Sequence, residues 1–154
     1  MEVRELTFSE LNRLKSQKWW AEKNNYTKIV HDVRSGFNRI FVVTDDGKII
    51  ATIKVSEKVT ALGRTLISNA VQVFGISISN EISNREEVSE ILVKGTFATI
   101  KRDGYRHVIV VYSDVNIETK ELCKRFNITD RIGSLYMENG KGDYNNYLIA
   151  KVDL

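Results

Sequence analysis

Proline is absent from this sequence, and its absence by itself carries no functional reading. Cysteine is nearly absent too. The single thiol, Cys123, rules out an intrachain disulfide and suits a reducing compartment. With only two histidines beside it, there is no Cys/His cluster spaced to hold a metal. No phosphate-binding G-x-x-x-x-G-K-[ST], no dinucleotide G-x-G-x-x-G and no nucleophile-elbow pentapeptide occurs. The longest apolar run in the body, "VIVVY" at 108–112, is far too short to span a bilayer. The N-terminal "MEVRELTF" is charged and lacks the apolar centre of a signal peptide. The expectation is a soluble cytoplasmic chain. The net charge of +3 is spread out, and basic stretches such as "KRDGYRH" (101–107) have acidic neighbours, so nucleic-acid binding is not implied.

What is present is ordinary globular material: 42% hydrophobic and 28% charged residues, enough for one self-sufficient core but not two domains. Thr7 and Glu10 have capping-box spacing and open a helix carrying Leu11, Leu14 and Lys18 at helical intervals. A helical or irregular segment follows in "NNYTKIVHDVRSG". "RIFVVT", "DDG" and "KIIATIKV" make a hairpin, because Asp46-Gly47 supplies the positive-φ positions of a tight turn. In "AVQVFGISIS" (70–79) the apolar residues change parity, from Val71 and Val73 to Ile76 and Ile78. A β-bulge at Gly75 explains the change; a strand buried on both faces is the alternative.

A long helix is expected next, capped by Ser83 and Glu86 and closed by Gly104. Val88, Ile91, Leu92, Gly95 and Ala98 form one apolar face, and Val93, Phe97 and Ile100 a second. The second face fits either a broadly buried helix or a partner surface. "RHVIVVYS" reads as a buried strand beside a parallel neighbour. "NIETKELCKRF" reads as a short amphipathic helix, and two further strands flank a Gly- and Asn-rich loop. The order predicts one α/β (mixed α+β) domain over 1–154, with a twisted mixed sheet and helices on its faces.

This order, together with "IKRDGYRHVIVVYSDVNIETKELCKRFNI" (100–128), resembles the GNAT superfamily of N-acetyltransferases. The matching features are Gly104-Tyr105 closing the helix, the apolar strand 106–112, Asn116, Leu122 and the ending Phe126-Asn127-Ile128. The resemblance implies a single-domain GNAT-like fold whose bulged central strand splays from the next strand. It implies acetyl-CoA as cofactor, with the pantetheine arm in the gap beside Ile78 and Ser79 and the pyrophosphate at the start of the long helix. It also implies an amine as acceptor. Counted back from Gly104, the family's Gln/Arg-x-x-Gly-x-Gly/Ala loop falls on Asn84, Glu87 and Ser89. None is the family residue.

Glu86 and Glu87 lie where a phosphate would sit, and a carboxylate at about 5 Å repels a phosphate charge by roughly 1 kcal/mol in a water-like dielectric. Arg85 offsets part of this, so the helix reads either as self-capped or as a nonstandard phosphate cradle. Cys123 stands where the family carries a Tyr that protonates the departing thiolate. A thiol could do the same, or Cys123 is a small core residue, and Tyr112, Tyr136 and Tyr144 are other candidate acids. For the base, Glu81 just beyond the bulged strand is the leading carboxylate, with His31 the alternative. Trp19 and Trp20 either line an acceptor pocket or pack on the core.

Two functions remain open. One is an acyl-CoA-dependent N-acyltransferase. The other is a GNAT-like scaffold with a degenerate site, a structural or interaction component that engages a protein partner. Degenerate domains of this kind occur among phage virion proteins, and the Lys-, Asn- and Ile-rich, proline-free composition suits an AT-rich viral genome. Oligomeric state is open, a homo-oligomer included.

Overall fold

The computed structural model describes residues 1–59, 69–113, 124, 131–138 and 144–154. A seven-stranded sheet forms its centre: β1 (Glu2–Glu5), β2 (Asn38–Asp45), β3 (Lys48–Ser56), β4 (Ala70–Ile78), β5 (His107–Ser113), β6 (Arg131–Glu138) and β7 (Tyr144–Asp153), in the spatial order β1-β2-β3-β4-β5-β7-β6. The strands pair antiparallel except β4 and β5, which are parallel. Three helices precede β2: α1 (Leu11–Lys15), α2 (Lys18–Ala21) and α3 (Tyr26–Arg34). The long α4 (Arg85–Arg102) connects β4 to β5.

Alternation along β2 assigns the two faces of the sheet. Phe41 and Val43 pack in the core that α4 covers with Val88, Leu92, Val93 and Ile100. Ile40 and Val42 point the other way, into a second core with Leu11, Leu14, Trp19 and Trp20. Helices therefore cover both faces. The β2–β3 turn forms as expected: Asp45 pairs with Lys48, and Asp46 and Gly47 adopt φ of 50° and 77°. The bulge is at Gly75. Ile53 faces Ile76 and Lys54 faces Phe74, so Gly75 is passed over. The skipped residue lets Val71, Val73, Ile76 and Ile78 all turn toward the same core.

Four expectations need correction. The helix through residues 7–22 is broken: a 3₁₀ turn (Phe8–Glu10) runs into α1, and Gln17, extended at φ −87° and ψ 108°, separates α1 from α2. On one unbroken helix Trp20 would lie about half a turn round from Leu11, so both could not reach one core. The break brings both in and leaves Lys18 exposed. Helix α4 starts one residue later than expected. Asn84 is its N-cap and makes no side-chain cap hydrogen bond, so the Ser83–Glu86 capping box does not form. Ala98 is exposed, and Val88, Leu92, Val93, Thr96 and Ile100 form one broad buried stripe flanked by Ile91 and Phe97, the broadly buried helix rather than a partner face.

Finally, β1 was not expected. It has one apolar residue, Val3, and is held at the sheet edge by its ladder to β2 and by Arg39, which donates to both Glu5 carboxylate oxygens at 2.9 Å and to Asp103 at 2.7 Å. The short helix expected over 116–126 lies outside the described residues. No described helix is long and apolar enough to cross a membrane.

Candidate active site

The parallel ladder between β4 and β5 is short. It runs from Ala70–His107 to Val73–Val110, and among the described residues it stops there, although β4 continues to Ile78 and β5 to Ser113. The bulge at Gly75 follows at once and turns β4 away from its parallel neighbour. A cleft opens between the two strands. Its wall is backbone. Ser79 N–H donates to Ile50 O at 2.8 Å, which makes Ser79–Ile50 a hydrogen-bonded position of the β3–β4 ladder. Antiparallel pairs alternate, so Ile78 opposite Ala51 and Ile76 opposite Ile53 aim their N–H and C=O groups away from β3, toward the cleft.

Beyond Ile78 the chain turns into α4. Ile82 N–H donates to Ser79 O at 3.2 Å, and Val88 N–H makes the bond to Asn84 O (3.1 Å) that begins the helical ladder. The earlier amides of the first turn lie at the mouth of the cleft, at the positive end of an 18-residue helix.

The candidate residues fall into distinct places. Ile78 has its side chain in the core, so only its backbone reaches the cleft. Ser79 is buried; its N–H is taken by β3, its hydroxyl accepts from Glu81 N–H at 3.4 Å, and its carbonyl accepts from Arg85 Nη1 at 3.1 Å. The Arg85 guanidinium is thus folded back against the end of β4. Asn84 donates from Nδ2 to Glu87 Oε2 at 2.9 Å, both side chains being exposed at the helix start with Glu86. Ser89 is half-buried one turn further on. Asn116 and Cys123 lie outside the described residues. Tyr112, Tyr136 and Tyr144 belong to β5, β6 and β7.

A cavity of about 390 Å³ lies on the α1–α2 side of the end of β4. Ser79, Glu81 and Ile82 line it together with Leu14, Trp19, Ile49 and Ile50. Glu81 is exposed there, whereas His31 is exposed on α3 and is not part of the lining. Trp19 and Trp20 both pack in the core beneath α1 and α2, the core reading of the two, and Trp19 also lines the cavity.

Three cations of the lining were not singled out from sequence: Arg4, Arg13 and Lys48. Arg4 binds Glu10 through both terminal nitrogens, at 2.8 and 2.6 Å. That pair, with the Thr7 bonds, lowers the Glu10 pKa to about 2. A buried polar group next to the bulge was missed as well. Thr52 faces Ser77 across the β3–β4 ladder, and Asn24 Nδ2 donates to Ser77 Oγ (3.3 Å) and Trp20 O (2.9 Å). Lys54, half-buried opposite Phe74, has its pKa lowered by burial and by Lys28, with Asp32 opposing. Thr52 and Lys54 interrupt the apolar run "IIATIKV" on one face, a signal the sequence did carry.

No protein-family model and no curated sequence matches the chain. Solved structures do. The chain superposes on a probable acetyltransferase from Staphylococcus epidermidis with a TM-score of 0.74, at 12% identity, over 99% of this chain and 98% of that one. The chain has the GNAT fold. An N-acetyltransferase from Staphylococcus aureus matches at a TM-score of 0.73 and 14% identity, over 99% and 97% of the two chains. A GNAT superfamily phosphinothricin acetyltransferase from Sinorhizobium meliloti, solved in complex with acetyl-CoA, matches at 0.74 and 13%, over 99% and 88%. The short β4–β5 ladder thus lies within a GNAT fold, in line with the splay expected from the sequence resemblance.

Proposed function

We propose that this chain is an acyl-CoA-dependent N-acyltransferase that transfers an acetyl group to an amine. The observation that carries the reading is the cleft itself: a parallel ladder that ends before the bulge, leaving the backbone of Ile76 and Ile78 aimed into an open wedge. The residues present fit a pantetheine arm and a pyrophosphate. Backbone donors and acceptors line the wedge, the first turn of α4 has no side-chain cap, and Arg85 brings a cation to the same end of β4. Glu86 and Glu87 oppose phosphate, but both are exposed, where solvent weakens the repulsion.

Bound acetyl-CoA supplies an acyl group activated as a thioester. The Ile78 N–H would donate to the thioester carbonyl oxygen in the wedge and stabilise charge developing there. Glu81 accepts the proton that the attacking amine must lose. The first-turn amides, with Arg85, Asn84 and Ser89, would hold the phosphates, while the Glu87 carboxylate is turned to Asn84. By the family resemblance, Asn116 would contact the cofactor and the Cys123 thiol would return a proton to the leaving thiolate.

A second reading, a scaffold without cofactor, is favoured by the two carboxylates in the first turn of α4. Calorimetric titration with acetyl-CoA, with dephospho-CoA as control, separates the two. Micromolar binding supports the enzyme, and no binding at millimolar ligand overturns it. Glu86→Gly with Glu87→Gly should tighten binding about tenfold by removing two repelling charges.

A further inference from the structure

We infer that the cavity beside the end of β4 binds a small organic acid that also carries an amine. Its volume, about 390 Å³, lies in the range of small-molecule sites. Its walls come from separate parts of the chain: Arg13 from α1, Lys48 from the start of β3, and Glu81 from the turn between β4 and α4. The tertiary fold therefore builds it.

The charges decide what it takes. Arg4 is already answered by Glu10, whose carboxyl stays ionised far below neutral pH. Arg13 and Lys48 make no ion pair among the described residues. Glu81 is the one carboxylate among the lining residues, and its side chain has no partner among the described residues. Two unanswered cations in a concave wall attract an anion. A simple anion would leave Glu81 facing like charge. A ligand with an amine at one end and an acid at the other answers all three groups, while Trp19 and Leu14 accept the carbon chain between them. That this amine is the acyl acceptor rests on the acyltransferase reading; the binding does not.

The test is titration of the ¹⁵N-labelled chain by NMR, without coenzyme. Glycine, 4-aminobutyrate and 6-aminohexanoate vary the amine–carboxylate separation, and 1-aminobutane and butyrate are the single-charge controls. At least one amino acid should shift the amides of Gln17, Lys48 and Ile82. Arg13→Gln with Lys48→Gln should weaken it at least about tenfold. Glu81→Gln should weaken the amino acid but not butyrate. The inference is overturned if none of the three perturbs these amides at about 50 mM, if 1-aminobutane binds as well as the amino acids, or if the double variant binds unchanged. Binding without acyl transfer in a later assay would sink the enzyme reading alone.

Discussion

Glu10 concentrates several bonds on one carboxylate. It accepts from both terminal nitrogens of Arg4, from Thr7 N–H at 3.1 Å and from the Thr7 hydroxyl at 2.8 Å. The Arg4 bond is the largest cause of its lowered pKa, about 2 against an ordinary 4.5. A carboxyl whose folded pKa lies below its unfolded one adds stability that is fully present above the unfolded value. That contribution is lost as the pH falls from about 4.5 toward 2. Glu10→Gln should lose about 1 kcal/mol at pH 7. Its stability should also vary less than that of the natural chain across the acid window. Urea denaturation at a series of pH values reads both. Should the variant retain the natural acid slope, the Arg4–Glu10 pair is not what sets it.

At the scale of elements, α4 is seated against β1 through a missing side chain. A Cβ on Gly95 would come within 2.7 Å of the Val3 side chain, closer than a stiff β-branched residue can yield. Gly95→Ala should therefore destabilise by about 1–3 kcal/mol, although alanine is worth about 1 kcal/mol more than glycine in a helix interior. Adding Val3→Ala should restore part of the loss. A stabilised single variant in chemical denaturation would mean that β1 moves aside at little cost.

The same contact shows why β1 was illegible in the sequence. "EVRE" has one apolar residue and no period, and its place is fixed by partners far along the chain, β2 and Gly95. By contrast, Asp46-Gly47 and the parity change around Gly75 are local, and both were legible. The helix break at Gln17 depends on where two tryptophans must go, which spacing alone does not state. Of the candidate site, the end of β4 and the start of α4 were legible because the resemblance and the bulge pointed to the same residues. The cations of the cavity were not, since Arg13 and Lys48 meet only through the fold.

At the scale of the molecule, the sheet of the described residues consists of two antiparallel portions, β1–β4 and β5-β7-β6, joined there by four residue pairs between β4 and β5. A ligand lodged between them binds only the folded chain. Acetyl-CoA at about 100 times its dissociation constant should therefore raise the unfolding free energy by about 2.7 kcal/mol. Thermal or urea unfolding with and without acetyl-CoA measures it, and an unchanged transition at millimolar acetyl-CoA would count against the cleft as its site.

Where that four-pair ladder ends also sets a length. From Val73, its last residue with a parallel partner, to Ile78 the strand advances about 13 Å. Gly75 is taken up in the bulge, so the five steps match only four on β3, from Val55 to Ala51, at about 3.3 Å each. The fold therefore acts as a ruler. One further pair between the strands would shorten the slot by a residue's rise, and one pair fewer would lengthen it, so the reach of any chain-like ligand is written into the place where two strands part.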